Sequence, residues 1–193
     1  MTRPIMSGKG LRTFDAGIPF RYAEMQLRVF YAAQVIAAQG SCGPLPVDKI
    51  ASVARWMSGQ GKPSLLLYGS YGLGKTTMLN TVRYVMRLYS HTFVSRVYEA
   101  KYLCDAGTED YKQVFGLLLV DELGRESDER KEFGNVSEPL TDLIYYRDRI
   151  GAPTLIATNC TLDELRVKYG NFIHDRLISG YNKIYYEGES FRK

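Results

Sequence analysis

The stretch "LLLYGSYGLGKTT", residues 65–77, constrains this chain more than any other. A continuous apolar run that ends in glycine reads as a buried strand, and the residues from Lys75 onward read as the first turn of a helix. Between them, Gly69, Gly74, Lys75 and Thr76 occupy the fixed places of G-x-x-x-x-G-K-[ST]. Glycine lets the backbone curl until its N–H groups converge on phosphate oxygens, and the helix that starts there adds the positive end of its dipole. Residues Gly69, Ser70, Tyr71, Gly72, Leu73, Gly74, Lys75, Thr76 and Thr77 are therefore the expected nucleotide-binding set. Lys75 is expected to reach the β- and γ-phosphates, and the Thr76 hydroxyl to ligate Mg²⁺. A glycine turn feeding an ordinary helix is the bland alternative, and the strand-before, helix-after context argues against it.

Two further strand ends carry chemistry. "FGLLLVDELG", residues 115–124, runs four apolar residues straight into two acids. Asp121 at that end suits the metal-holding Walker B role, and Glu122 next to it suits polarising an attacking water. "LIATN", residues 155–159, ends a further apolar run. Placed between the other two strands, it would deliver Asn159 beside the γ-phosphate, at the carboxyl edge where ligands of open α/β sheets bind. The competing role for Asn159 is local, because the next helix starts at once: Thr161 and Glu164 form a capping-box pattern.

Elsewhere the pattern alternates. "FRYAEMQLRVFYAAQVIAAQG" predicts a long helix stopped by Gly40, "VDKIASVARWMS" a second, and "KTTMLNTVRYVMRLY" the helix after the glycine loop. "TFVSRVYEA" predicts a strand, with only a short connection to the next. After the polar stretch 125–138 come a helix over "PLTDLIYYRDRI", two short helices over "TLDELRVKYG" and "NFIHDRLISG", and a possible edge strand in "KIYYEGESF". The expected fold class is α/β, a three-layer sandwich around a mainly parallel five-stranded sheet. Residues 1–17 are expected to be an extended arm before one domain, 18–193.

Composition removes several classes. The net charge of +4 permits nucleic acid without indicating it. Three cysteines without a C-x-x-C pair and two histidines make no zinc constellation. No apolar run is long enough for a membrane span, and the basic N-terminus has no apolar core for a secretory signal, so a cytoplasmic protein is expected.

The motifs together resemble one family. "GSYGLGKTT", "LLLVDELGRE", "YRDRIGAPTLIATN", "TLDELRVKYG" and "FIHDRLISG" stand in the order of AAA+ ATPases, and within them of the DnaC/DnaI/IstB group of helicase loaders and transposition helpers. "IPFRYAEM", from Ile18, is similar to that group's entry to the ATPase core. The resemblance implies an AAA+ P-loop NTPase that binds ATP with Mg²⁺ and hydrolyses it, with Glu122 as base, Asn159 in the sensor-1 role and no C-terminal helical lid. It implies that Arg176, in "DRL", is an arginine finger reaching the ATP of a neighbouring subunit, so that copies self-associate head to tail. Arg192, in "SFRK", matches a late arginine near the nucleotide in some members. The implied function is helicase loading in DNA replication with a replicative helicase. An IstB-like transposition ATPase, partner of a transposase and binding duplex DNA, is the nearest alternative. A P-loop small-molecule kinase is another, disfavoured by the Asp121–Glu122 pair, which suits water as acceptor; a nucleotide-switched binding module is a further one. A GTPase is disfavoured because no N-K-x-D guanine motif is present. Two departures weaken "loader": with 17 residues before Ile18, no separate helicase-gripping domain is expected there unless the arm does its work, and the connection before "FGLLLVDE" is short.

Overall fold

Five apolar runs build one parallel sheet. The computed structural model describes residues 13–107, 109–112, 114–126, 130–132, 135–137 and 139–188. Its strands are β1 (Ser64–Gly69), β2 (Val94–Glu99), β3 (Leu117–Leu123), β4 (Arg130–Glu132), β5 (Asn135–Ser137), β6 (Thr154–Thr158) and β7 (Tyr181–Tyr186). The helices are α1 (Phe20–Gln39), α2 (Val47–Met57), α3 (Lys75–Tyr89), α4 (Ala100–Ala106), α5 (Glu109–Lys112), α6 (Pro139–Ile150) and α7 (Leu162–Gly180). The sheet order is β2-β3-β6-β1-β7, every neighbouring pair parallel. β6 thus lies between β3 and β1, and β7 forms the edge, as the sequence patterns predict.

Alternation along each strand divides the core into two layers. Leu65, Leu67, Leu117, Leu119, Leu155 and Ala157 pack on one face with α1, α2 and α3. On the other face Leu66, Leu118, Val120 and Ile156 pack with α4, α6 and α7. Burial on both faces explains why these strands are apolar without interruption.

Helix ends follow local chemistry. α1 buries Ala23, Leu27 and Tyr31 at four-residue spacing and stops at Gly40, whose φ of 76° lets its N–H return to the Ile36 carbonyl. Thr161 caps α7: its Oγ1 accepts from the Glu164 N–H at 3.2 Å, and Glu164 Oε2 accepts from the Thr161 N–H at 2.6 Å. The two short helices expected over 162–180 run as α7 with a break at Gly170, where φ is 76° and ψ 170°.

Two segments carry structure that the sequence pattern did not announce. Between β2 and β3, where a short plain connection is expected, stand α4 and α5. Within the polar stretch after β3, β4 and β5 pair as an antiparallel hairpin. Of the expected arm, residues 1–12 lie outside the described residues. Residues 13–17 pack on the domain: Phe14 stacks on Trp56 with ring centroids 4.6 Å apart, and Ser90 Oγ donates to the Ala16 carbonyl at 2.7 Å. No helix among the described residues is long and apolar enough to cross a membrane.

Candidate nucleotide-binding site

The carboxyl ends of β1, β6 and β3 lie side by side, and each delivers part of one site. Leu67 on β1 pairs with Ala157 on β6, so Gly69 and Asn159, each two residues further, stand at the same level of the sheet. On the other side of β6, Thr158 pairs with Leu123 of β3. The Thr158 hydroxyl donates to the Leu123 carbonyl at 2.6 Å and accepts from the Cys160 N–H at 3.0 Å, which fastens the end of β6 to the end of β3. Asn159 is half-buried between these contacts.

The loop from β1 to α3 needs its glycines at two points. At Gly69, φ is 116° and a Cβ would strike the Tyr186 carbonyl oxygen, while the next residue, Ser70, donates its N–H to that oxygen at 2.9 Å. At Gly74, φ is 84° and a Cβ would strike the Tyr31 hydroxyl. The loop is therefore pressed between β7 and α1, and only glycine permits the approach. Burial pushes the Tyr31 hydroxyl up to about 12, so it meets the loop as a neutral group.

Lys75, only 6% exposed, begins α3 and folds back under the loop. Its ammonium donates to the Gly69 carbonyl at 2.8 Å and the Ser70 carbonyl at 2.6 Å, and lies 5.9 Å from the Tyr186 ring centroid. Thr76, on the first turn of α3, is exposed, with its hydroxyl facing the Asp121 carboxylate. Burial, chiefly, raises the Asp121 pKa above the usual carboxylate range, and the Thr76 hydroxyl pulls the other way. A hydroxyl and a carboxylate brought together in this way are hard oxygen donors. They fit Mg²⁺, which keeps most of its remaining positions for water and phosphate oxygens. Among the described residues no cluster of three or more His, Cys, Asp or Glu could hold a metal by itself.

Glu122 sits on an irregularity. The β3–β6 register shifts between Val120 and Leu123, and Glu122 has φ 57°, the one positive φ outside glycine among the described residues. Its N–H donates to Asp121 Oδ1 at 2.9 Å. A bulge at a strand end re-aims one side chain relative to its neighbour, which sends Asp121 and Glu122 in different directions. The Glu122 carboxylate accepts from Arg125 Nη1 at 2.6 Å, and the Arg125 guanidinium lies 5.4 Å from the ring centroid of Tyr71 in the loop. Arg125 lies within "LLLVDELGRE", but no sequence pattern assigned it a role or paired it with Glu122.

Glu126 is a second unannounced member. It is buried, accepts from the Gly124 N–H at 3.0 Å and from the Tyr169 hydroxyl, and Lys168 Nζ donates to its carbonyl at 2.8 Å. These bonds join the segment after β3 to α7 just before the break at Gly170. An acid inside "GRESDER" reads as solvated, so only the tertiary contacts distinguish it.

Arg176 is not brought to the loop of its own chain. It lies late in α7, donates to Asp148 Oδ2 at 2.5 Å, and is flanked by Tyr145 and Phe172, each ring centroid 5.1 Å from the guanidinium. Asp148 is near the end of α6, before β6 begins, so Arg176 lies toward the opposite end of the strands from Asn159. Arg192 lies outside the described residues.

No protein-family model matches the chain, and no curated protein sequence does. Solved structures do. The crystal structure of the DnaC helicase loader superposes with a TM-score of 0.55 at 19% identity, over 75% of this chain and 92% of that one. DnaI gives 0.54 at 18% identity, over 72% and 83% respectively. AMPPCP-bound DnaA from Aquifex aeolicus gives 0.50 at 16% identity, over 67% of this chain and 42% of that longer one. Sheet order, glycine loop and superpositions agree: the chain has the parallel α/β fold of the DnaC, DnaI and DnaA structures.

Proposed function

We propose that the protein is an ATP-hydrolysing AAA+ protein of DNA replication that acts, as a DnaC-type loader would, on a replicative helicase. The observation that carries the ATPase reading is the convergence of Gly69–Lys75, Asp121–Glu122 and Asn159 at one end of the sheet. The likeness to the DnaC helicase loader and DnaI supports the replication role.

The loop N–H groups and Lys75 bind the phosphates, with the start of α3 adding its dipole. Lys75 exchanges its two carbonyl partners for phosphate oxygens on ATP binding. Thr76 and Asp121 would hold Mg²⁺, which would supply positive charge to offset that of the phosphates. Glu122 takes a proton from water. The water oxygen bonds the γ-phosphorus as the bond from that phosphorus to the bridging oxygen breaks, and the electron pair leaves on ADP. Asn159 orients that water and the γ-phosphate. Arg176, on the far side of the subunit, serves the ATP of a neighbour in a head-to-tail assembly, where a finger contributes roughly 10³–10⁵ in rate in well-studied NTPases.

Hydrolysis measured against protein concentration tests the reading. Activity per subunit is expected to climb steeply with concentration for the wild type and to be nearly lost in Glu122→Gln and Arg176→Ala. A Glu122→Gln protein that hydrolyses ATP at the wild-type rate removes the catalytic assignment. Transfer of phosphate to an added nucleotide or sugar instead of water points to a kinase.

A further inference from the structure

Arg125 is the cation that the phosphate-loop motif does not account for. It follows the Asp121–Glu122 pair by a tight turn, its own N–H donating to the Glu122 carbonyl at 3.1 Å. That turn carries the guanidinium back over the site. One edge meets the Glu122 carboxylate at 2.6 Å, and the Tyr71 ring, at the exposed tip of the loop, lies 5.4 Å away. Arg125 therefore spans the two borders of the phosphate site: the loop that would cradle the phosphates and the carboxylate that would activate water.

Three properties make this contact exchangeable. Both partners are substantially exposed, and an exposed ion pair is weak because water screens it. The bond is single, Nη1 to Oε1, where a guanidinium can offer a phosphate two parallel donors. Glu122 also holds a backbone conformation, φ 57°, that side-chain-bearing residues adopt only when neighbouring contacts hold them there.

We infer that Arg125 is the residue by which the site tells a nucleoside triphosphate from a diphosphate. In the free protein it occupies the Glu122 carboxylate and rests against Tyr71. A terminal phosphate at the loop draws Arg125 away from Glu122, which in the same exchange leaves that carboxylate free to take a proton from water. A diphosphate presents too little charge beyond the β-phosphate to compete, so the Arg125–Glu122 pair persists. The inference rests on the nucleotide-binding reading above and adds to it a residue that touches the γ-phosphate.

Binding, not turnover, tests it. Affinities for Mg-ADP and for the Mg complex of a non-hydrolysable ATP analogue are measured by calorimetry for wild type, Arg125→Ala, Arg125→Lys and Glu122→Gln. Losing one charge-assisted contact predicts that Arg125→Ala weakens analogue binding about tenfold while ADP affinity stays within about twofold. Arg125→Lys is expected to recover part of the difference, since the charge remains and the paired donors do not. Glu122→Gln, which removes the competitor for Arg125, is expected to tighten the analogue several-fold without changing ADP. A structural role would shift both nucleotides together. Wild-type binding of both nucleotides with an unchanged ratio in Arg125→Ala overturns this inference alone; a wild type that binds neither overturns the nucleotide-binding reading and this inference with it.

Discussion

Asp121 shows what burial does to one carboxylate at the end of β3. It is 8% exposed, and burial holds its pKa above the ordinary carboxylate range despite the Thr76 hydroxyl. A carboxyl whose folded pKa is raised binds its proton more tightly folded than unfolded. Its contribution is thus most favourable below the ordinary carboxylate pKa and declines as pH rises through the raised value. At neutral pH the ionised side chain weakens the nucleotide-free fold, and on the proposed reading a bound divalent cation would relieve it. Asp121→Asn is therefore expected to raise the Tm of the free protein at pH 7 by about 2–4 °C, the shift that ~1 kcal/mol gives in a domain of this size. The gain should vanish near pH 3, and Mg²⁺-dependent nucleotide binding should be lost. Thermal unfolding at the two pH values, without nucleotide, reads the sign directly; a lower Tm at pH 7 contradicts it.

At the scale of elements, Arg147 ties α6 to the entrances of two strands. It is 0% exposed. Its Nε donates to Thr154 Oγ1 at 2.9 Å, its Nη1 to the Val114 carbonyl at 2.9 Å, and its Nη2 to the Gly116 and Pro153 carbonyls at 3.0 and 2.8 Å. Burial pulls its pKa down to about 10, which still leaves it charged at neutral pH. The partners named are neutral, three carbonyls and the Thr154 hydroxyl, so their number and geometry must offset its desolvation. The same bonds hold the stretch after α5 against the sheet, where no local pattern stabilises it. Arg147→Met is expected to destabilise the fold by roughly 3 kcal/mol or more, because several buried carbonyls lose their donor at once. Urea unfolding should show the loss. The nucleotide affinity of the molecules that remain folded should be unchanged, since Arg147 lies at the other end of the strands from the loop.

Assembly belongs to the whole molecule. Arg176 rests on its own subunit, bonded to Asp148 and held between Tyr145 and Phe172, away from its own phosphate loop. If it serves a neighbour, the Glu122→Gln and Arg176→Ala proteins are each defective at a different half of a shared site. Mixed in equal amounts, the two inactive proteins should recover about a quarter of wild-type hydrolysis, the random fraction of junctions that pair an intact Glu122 with an intact Arg176. A mixture as inactive as its components places Arg176 in a structural role, which its ion pair with Asp148 would then explain.

The fold class and the identity of the loop were legible in the chain because their causes are local. Apolar runs that continue for several residues can only be strands buried on both faces, Gly40 stops α1 where the pattern says, and Thr161 with Glu164 starts α7. The glycines of "GSYGLGKTT" mark where backbone approaches β7 and α1, although the approaching groups, the Tyr186 carbonyl and Tyr31 hydroxyl, come from distant sequence. What stayed hidden has long-range causes. The stretch after α5, with Val114 and Gly116, has little apolar periodicity and keeps its place partly through Arg147, a charged residue. Glu126 sits in an acidic run and is buried only because Tyr169 and Lys168 arrive from α7. Sequence alone determined that a glycine loop of the phosphate-binding pattern stands between a strand and a helix, since backbone sterics and hydrophobic period decide that within a few residues. Only the tertiary structure decided which cations meet which carboxylates, Arg125 with Glu122 and Arg176 with Asp148, because those meetings depend on how whole elements pack.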